Sequence, residues 1–322
     1  MVIDIVLIVV GIVLVLWGAD RLTDGAVAVA QRLRIPEMVI GLTIVGLGTS
    51  MPELCISLVS ALKGTSDLAV GNVVGSNIFN TLLIVGVAAM VAPITILRST
   101  VWKDMPWSML AGVLLAVLCF DGCVSRLDAL ILFAIFLIFM GYTLYQAKKG
   151  KAEMSAEEAR SARTPLAAAG LIILGLACLV VGSNVFVDAA TRVARALNVS
   201  DAVIGLTIVA GGTSLPELAT SVVAARKGQS AIAIGNVIGS NVYNVLLILG
   251  LTGIICPMET KDIHMEDYGL MTLSMVLLWL FSFTRYKVER WEGLVLTVIF
   301  IIYIVWLVFN AVSPAAAQAI LN

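Results

Sequence analysis

Residues 40–86 are written a second time at 204–250. Sliding the chain by 164 positions superimposes the two stretches with 30 identities in 47 positions. Outside them the likeness fades, although Gly18/Gly182, Asp24/Asp188 and Leu33/Leu197 keep the register. A repeat this strong means one structural unit used twice. Whatever fold the chain adopts must therefore be built from two related halves.

The unit is built for lipid. Hydrophobic residues make up 60% of the chain and charged residues 13%, against roughly 25% charged in soluble domains. Apolar runs recur along the whole length, and about 20 such residues let a helix cross the hydrocarbon core. A barrel strand would alternate apolar and polar residues over about ten positions, which no segment does. The expectation is an all-α membrane protein. The opening "MVIDIVLIVVGIVLVLWGAD" lacks a basic start and a small-residue cleavage site, and reads as a first spanning helix rather than a removable signal.

Ten spans fit, near residues 3–20, 38–62, 68–91, 105–120 and 128–146, then 166–186, 202–225, 230–255, 268–284 and 293–311. The first and sixth can run on as amphipathic helices towards Leu33 and Leu197. Residues 1–146 form the first repeat, 147–164 a polar connector and 165–322 the second repeat. Five spans per unit is odd, so the second copy enters the membrane from the opposite side. Inverted repeats of this kind are characteristic of secondary transporters, whose sites lie near the midplane between the repeats. With both termini outside and the connector in the cytoplasm, the inner loops carry 15 Lys/Arg and the outer loops 5, as the positive-inside rule asks.

Inside each repeat stands a carboxylate where lipid-spanning sequence is expected: Glu53 in "GLGTSMPELCIS" and Glu217 in "AGGTSLPELATS". An ionised carboxylate at the centre of a lipid-facing helix costs at least about 2.5–3.5 kcal/mol, and neither motif contains Lys, Arg or His. A cation from outside is the missing partner. Pro52 has no N–H and its ring clashes with the carbonyl four residues back, so the helix is expected to unwind around Gly48. Pro216 does the same beside Gly211 and Gly212. Thr49 and Ser50 share the helical face of Glu53, as Thr213 and Ser214 share that of Glu217. The next span of each half carries "GNVVGSNIFN" or "GNVIGSNVYN", where Ser76 with Asn80 and Ser240 with Asn244 offer neutral oxygens from one face.

This is an all-oxygen inventory, suited to hard cations such as calcium or sodium. Two ionised glutamates give a charge of about −2, and bare carboxylates occluded in low dielectric are unfavourable. An empty carrier should cross poorly and a loaded one readily, which makes an exchanger. Sodium entering would drive calcium out.

Other residues take plainer roles. The five cysteines are expected as free thiols packed as small hydrophobes. Gly71/Gly75 and Gly235/Gly239 read as close-packing faces. Asn72, Asn77, Asn236 and Asn241 are expected to bond between helices. Asp24 and Asp188 are placed near helix ends, and His264 in a polar loop. Trp102 and Trp107 read as interface anchors. An intramembrane metalloprotease would need two histidines on one helix, and the chain has one histidine. A cation channel fits the same ligands but not the inverted repeat.

The doubled motif, "GTSMPE" and "GTSLPE" each followed by "GNVVGSN" or "GNVIGSN", resembles the two α-repeats of the calcium/cation antiporter family. It is most similar to the prokaryotic sodium/calcium exchanger branch. The resemblance implies two inverted five-helix units around four adjoining cation sites. Glu53 and Glu217 would be the principal ligands. Thr49, Ser50, Ser76, Thr213, Ser214 and Ser240 would add oxygens, with the carbonyls of Gly46 and Ala210. It also implies three sodium ions moved per calcium, by sliding of the first and sixth helices over the rest. Some exchangers of this branch carry aspartate where this chain has Asn80 or Asn244, which leaves stoichiometry open and protons available as counter-ion. The expected setting is a prokaryotic inner membrane, the partners Ca2+, Na+ and the bilayer, without nucleic acid, and the working unit a monomer. No cofactor is expected beyond the transported ions.

Overall fold

The computed structural model describes residues 2–150, 164–197, 208, 210–260 and 263–321. Most of the connector and of the expected 202–225 span up to residue 209 lie outside the described residues.

The first half consists of α1 (Val2–Leu33), α2 (Glu37–Thr49), α3 (Met51–Leu62), α4 (Ser66–Val91), α5 (Thr100–Asp121) and α6 (Arg126–Gly150). The second contains α7 (Pro165–Ala196), α8 (Ala210–Thr213), α9 (Leu215–Arg226), α10 (Ser230–Ile255), α11 (Met265–Phe283) and α12 (Arg290–Leu321). Seven of the described helices are each long and apolar enough to cross a membrane, and α2 with α3, bent by 44°, make an eighth. Of the expected ten, α11 falls short because Glu266 and Asp267 occupy its first turn, and 202–225 is only partly described.

Burial separates the helices by role. The apolar windows of α4 and α10 are 72% and 78% buried, against 22–33% for the other single spanning helices. These two repeat-related helices are therefore the centre of the molecule, and the rest turn a face to lipid. Gly235 and Gly239 let α10 lie against the α2 backbone: a Cβ at 239 would sit 2.7 Å from the Leu42 carbonyl oxygen. Gly71 and Gly75 meet little comparable among the described residues. The counterpart of Gly41 on the other side is Gly205, which lies outside them.

α1 and α7 pack antiparallel over their length. Gly11 faces Gly182, Gly18 faces Gly175 and Gly25 faces Ala168, so the two residue numbers sum to a constant as antiparallel contact requires. A Cβ added at Gly175 would come within 2.6 Å of the Leu22 amide nitrogen. Glycine every seven residues on α1 gives a side-chain-free seam, and small-residue seams of this kind let membrane helices approach closely. The seam explains why α1 does not stop near residue 20. The small-residue run after Asp24 remains helical against α7 through to Leu33.

Asp24 is accordingly inside a helix rather than near its end, which corrects the sequence expectation. Its carboxylate takes Lys227 at the end of α9 at 2.7 Å, and Asp20 takes the same ammonium at 2.6 Å. Asp188 likewise lies within α7. His264 is the N-cap of α11 in a capping box with Asp267. Trp102 packs edge-on against Trp279 and Phe283, and Trp107 against Phe139.

Two short antiparallel ribbons join the halves. β1 (Ile94–Thr95) pairs β4 (Lys287–Val288), and β2 (Cys123–Val124) pairs β3 (Met258–Glu259). Ile94 and Met258 are repeat equivalents, as are Val124 and Val288, so each ribbon is the repeat image of the other. Each strand is too short to leave an alternation in the sequence.

Candidate cation site

α2 is widened to π-helix over Gly41–Val45 and ends at Thr49; Ser50 leaves helical geometry at φ −83°, ψ 5°, and α3 begins at Met51. The break falls at Ser50, two residues later than expected around Gly48. Pro52 thereby sits in the first turn of a new helix, where a missing N–H costs nothing, and the Gly48 carbonyl loses its helical donor. Ser214 repeats the break at φ −90°, ψ 9° ahead of Pro216. There the equivalent carbonyl, Gly212, accepts from the Ser183 hydroxyl at 2.5 Å. In the first half, alanine (Ala19) replaces that serine.

Glu53 and Glu217 both lie in the first turns of their helices and are 1% exposed. Helix N-termini favour negative charge. Each glutamate is then held by the other half: Ser214 donates to Glu53 Oε1 at 3.1 Å, and Ser50 donates to Glu217 Oε1 at 3.2 Å. Thr213 lies beside Glu53 and Thr49 beside Glu217. The Ser214 oxygen is also 3.2 Å from that of Ser76, which brings α4 into the cluster. Thr49 donates to Asn236 Oδ1 at 3.0 Å, and Ser240 to the Gly46 carbonyl at 3.4 Å. One helical turn beyond Ser76 and Ser240 lie Asn80 and Asn244, each 1% exposed. Ala210 opens α8, one turn before Ser214.

Direct hydrogen bonds thus join Glu53 with Ser214 and Ser76, and Glu217 with Ser50; Thr49, Gly46 and Ser240 are linked through α10, and Asn80 and Asn244 bond to Asn241 and Asn77 rather than to either glutamate. The backbones are pinned in parallel fashion. Asn72 donates to the Ser57 hydroxyl and the Glu53 carbonyl, and Asn236 to the Ser221 hydroxyl and the Glu217 carbonyl. Ser57, Ser221 and Ser183 were not among the sequence candidates. The repeat itself could have flagged the first two, since they are identical residues in equivalent positions.

What remains unbonded defines the chemistry. Among the described residues, Glu53 Oε2, Glu217 Oε2, Asn80 Oδ1 and Asn244 Oδ1 are buried and have no hydrogen-bond partner. All four are acceptors. Leaving one buried polar group unpaired costs about 1–3 kcal/mol, more when it is charged. Among the described residues no ion pair reaches either glutamate, and no cluster of His, Cys, Asp and Glu forms a soft-metal site. A hard cation would satisfy these oxygens where no side chain does.

The sodium/calcium exchanger protein profile matches residues 3–145 and 167–309, one segment in each half. The chain belongs to that family. These exchangers are transporters and not enzymes, so the protein is a multi-pass membrane antiporter. Among its relatives, the inner membrane protein YrbG of Escherichia coli is 36% identical over 313 residues, covering 94% of this chain and 95% of YrbG. The sodium/calcium exchanger MaX1 of Methanosarcina acetivorans is 32% identical over 347 residues, covering 95% and 99%. The solved sodium-calcium exchanger NCX_Mj superposes with a TM-score of 0.83 at 31% identity, over 95% of this chain and 99% of that one. Exchanger membership agrees with the oxygen-only character of the site.

Proposed function

We propose that the protein exchanges Ca2+ for Na+ across a prokaryotic inner membrane by alternating access, normally moving calcium out as sodium enters. Ten helices in two inverted five-helix units, with both termini outside the cytoplasm, carry the exchange. Glu53 and Glu217 are the principal ligands, assisted by the hydroxyls of Thr49, Ser50, Ser76, Thr213, Ser214 and Ser240. Further oxygens come from Asn80, Asn244 and the carbonyls of Gly46 and Ala210. The observation that carries this reading is the pair of buried carboxylates, each held by the opposite half through one oxygen and bare at the other. The antiparallel seam between α1 and α7 supports the inverted arrangement, and the exchange named for MaX1 supports the choice of ions.

The two sides of the site differ in packing. A cavity of about 200 Å³ borders Pro52, Ile56, Ser183, Val187, Asp188 and Thr213. Of the repeat counterparts, Ala19, Thr23, Thr220 and Thr49 are buried, and the cavity on that side, about 250 Å³, lies beyond them against Asp24, Gln31 and Lys227. In the proposed topology the cavity beside Pro52 faces outward, and the Lys227 bridge to Asp20 and Asp24 closes the cytoplasmic side. Sliding α1 with α7 along the other helices would exchange the two conditions.

A second reading keeps the fold and changes the counter-ion. With asparagine at 80 and 244 the site holds two carboxylates, so one Ca2+ is balanced in charge by two protons as well as by sodium. Flux separates the two. Calcium uptake into proteoliposomes under an imposed sodium gradient, and separately under a pH gradient, is expected to follow sodium. Uptake driven by the pH gradient alone would establish proton coupling. Calcium movement with no counter-ion gradient or exchange would indicate a channel.

A further inference from the structure

We propose that Asn77 and Asn241 are positioning residues, each aiming the carboxamide that the opposite half contributes to the site: Asn77 orients Asn244, and Asn241 orients Asn80. The inference rests on the reading of Asn80 and Asn244 as cation ligands.

A carboxamide has two nearly isosteric ends, an oxygen that accepts and a nitrogen that donates twice. A cation tolerates only the oxygen. Rotation by 180° about the last side-chain bond would turn N–H groups into the site and repel the ion, so an asparagine ligand needs something to tell its two ends apart. The structure supplies it one bond away. Asn244 Nδ2 donates to Asn77 Oδ1 at 3.0 Å, and Asn77 Nδ2 donates to the Asn241 backbone carbonyl at 3.3 Å. A backbone carbonyl can only accept, so it fixes which end of Asn77 faces it. Asn77 in turn presents its oxygen to Asn244.

The other limb runs through a side chain. Asn80 Nδ2 donates to Asn241 Oδ1 at 3.2 Å, and Asn241 Nδ2 donates to the Thr81 hydroxyl at 2.9 Å. Both limbs end in the same result: the oxygens of Asn80 and Asn244 are buried without a partner among the described residues. Asn77 and Asn241 are themselves at most 2% exposed, so no water competes for their amides from outside. Each limb crosses between α4 and α10; the first is fixed by a carbonyl that can only accept, the second by a Thr81 hydroxyl that accepts from Asn241.

The alternative is that these asparagines only fasten α4 to α10. A double-mutant cycle separates the two, because a residue acting through another loses its effect when that other is gone. Calcium half-saturation of sodium-driven uptake is measured for N77A, N244A and N80A, and for N77A combined with each of the latter two. N77A is expected to raise half-saturation about tenfold, to add nothing in the N244A background, and to add its full factor in the N80A background. Thr81→Val removes only the hydroxyl that Asn241 donates to, at a position whose repeat equivalent is Val245. It is expected to raise half-saturation several-fold, with the effect lost in N80A. Equal increments in every background, or no increment from N77A and T81V, would overturn the proposal. Wild-type half-saturation in both N80A and N244A would instead remove the ligand assignment, and the positioning role with it.

Discussion

Ser50 of the first half donates to Glu217 of the second at 3.2 Å, and Ser214 of the second donates to Glu53 of the first at 3.1 Å. The exchange of partners is what a two-fold relation between equivalent segments produces when their broken helices meet tip to tip. It gives each carboxylate a serine donor from the other half and, among the described residues, leaves its second oxygen without a partner.

Removing those donors should weaken ion binding without unfolding the protein. A hydrogen bond to a charged group is worth about 1.5–3 kcal/mol, so Ser50→Ala and Ser214→Ala should each raise calcium half-saturation about tenfold or more. Thermal unfolding of the purified variants should stay close to wild type. Unchanged half-saturation in both would show that the serines do not orient the glutamates.

The glycine seam makes a paired prediction. Gly175→Leu places side-chain atoms where the Leu22 amide and Gly18 carbonyl stand, at 2.6 and 2.8 Å from the first added carbon. Overpacking of a tight contact costs about 1–3 kcal/mol and more for larger residues, so the variant should melt several degrees lower and lose transport. Gly170→Leu, on the same helix with nothing within 4 Å, should do neither. Equal effects at the two positions would dissolve the seam.

Lys227 holds Asp20 and Asp24 with side chains about one-third exposed. Pairs of that exposure are worth about 0.2–1 kcal/mol, enough to bias a conformational equilibrium by a few-fold. Lys227→Ala should therefore shift the population away from the outward-open state. A single cysteine at Val187, on the wall of the outer cavity, should then react two- to fivefold more slowly with an impermeant thiol reagent added outside. A rate equal to the Lys227 parent, or faster, would mean the bridge does not close the inner side.

Much of this is legible in the sequence. The 164-residue repeat, the two glutamates and the serine and asparagine pairs of α4 and α10 are local, doubled patterns, and hydrogen bonds join the glutamates to Ser50, Ser214 and Ser76. Less local features are not. The break falls at Ser50 rather than Gly48 because the proline takes the first turn of a following helix and does not unwind the preceding one. The π-helical stretches at Phe79–Ile84 and Tyr243–Leu249 leave no mark in composition. The sequence puts Asp24 near a helix end because the apolar run that marks a span ends before it, while the helix continues on a seam that only α7 beside it defines. Lys227 finds Asp20 across some two hundred residues, a partnership that no spacing rule encodes.

The central claim is that Glu53 and Glu217 share one cation. Calcium binding to the purified protein, measured calorimetrically with and without sodium, tests it directly. Wild-type protein is expected to bind calcium and to release it as sodium is added, while Glu53→Gln and Glu217→Gln, each still folded by thermal unfolding, bind no measurable calcium. Retention of wild-type calcium affinity by either folded variant would contradict the claim.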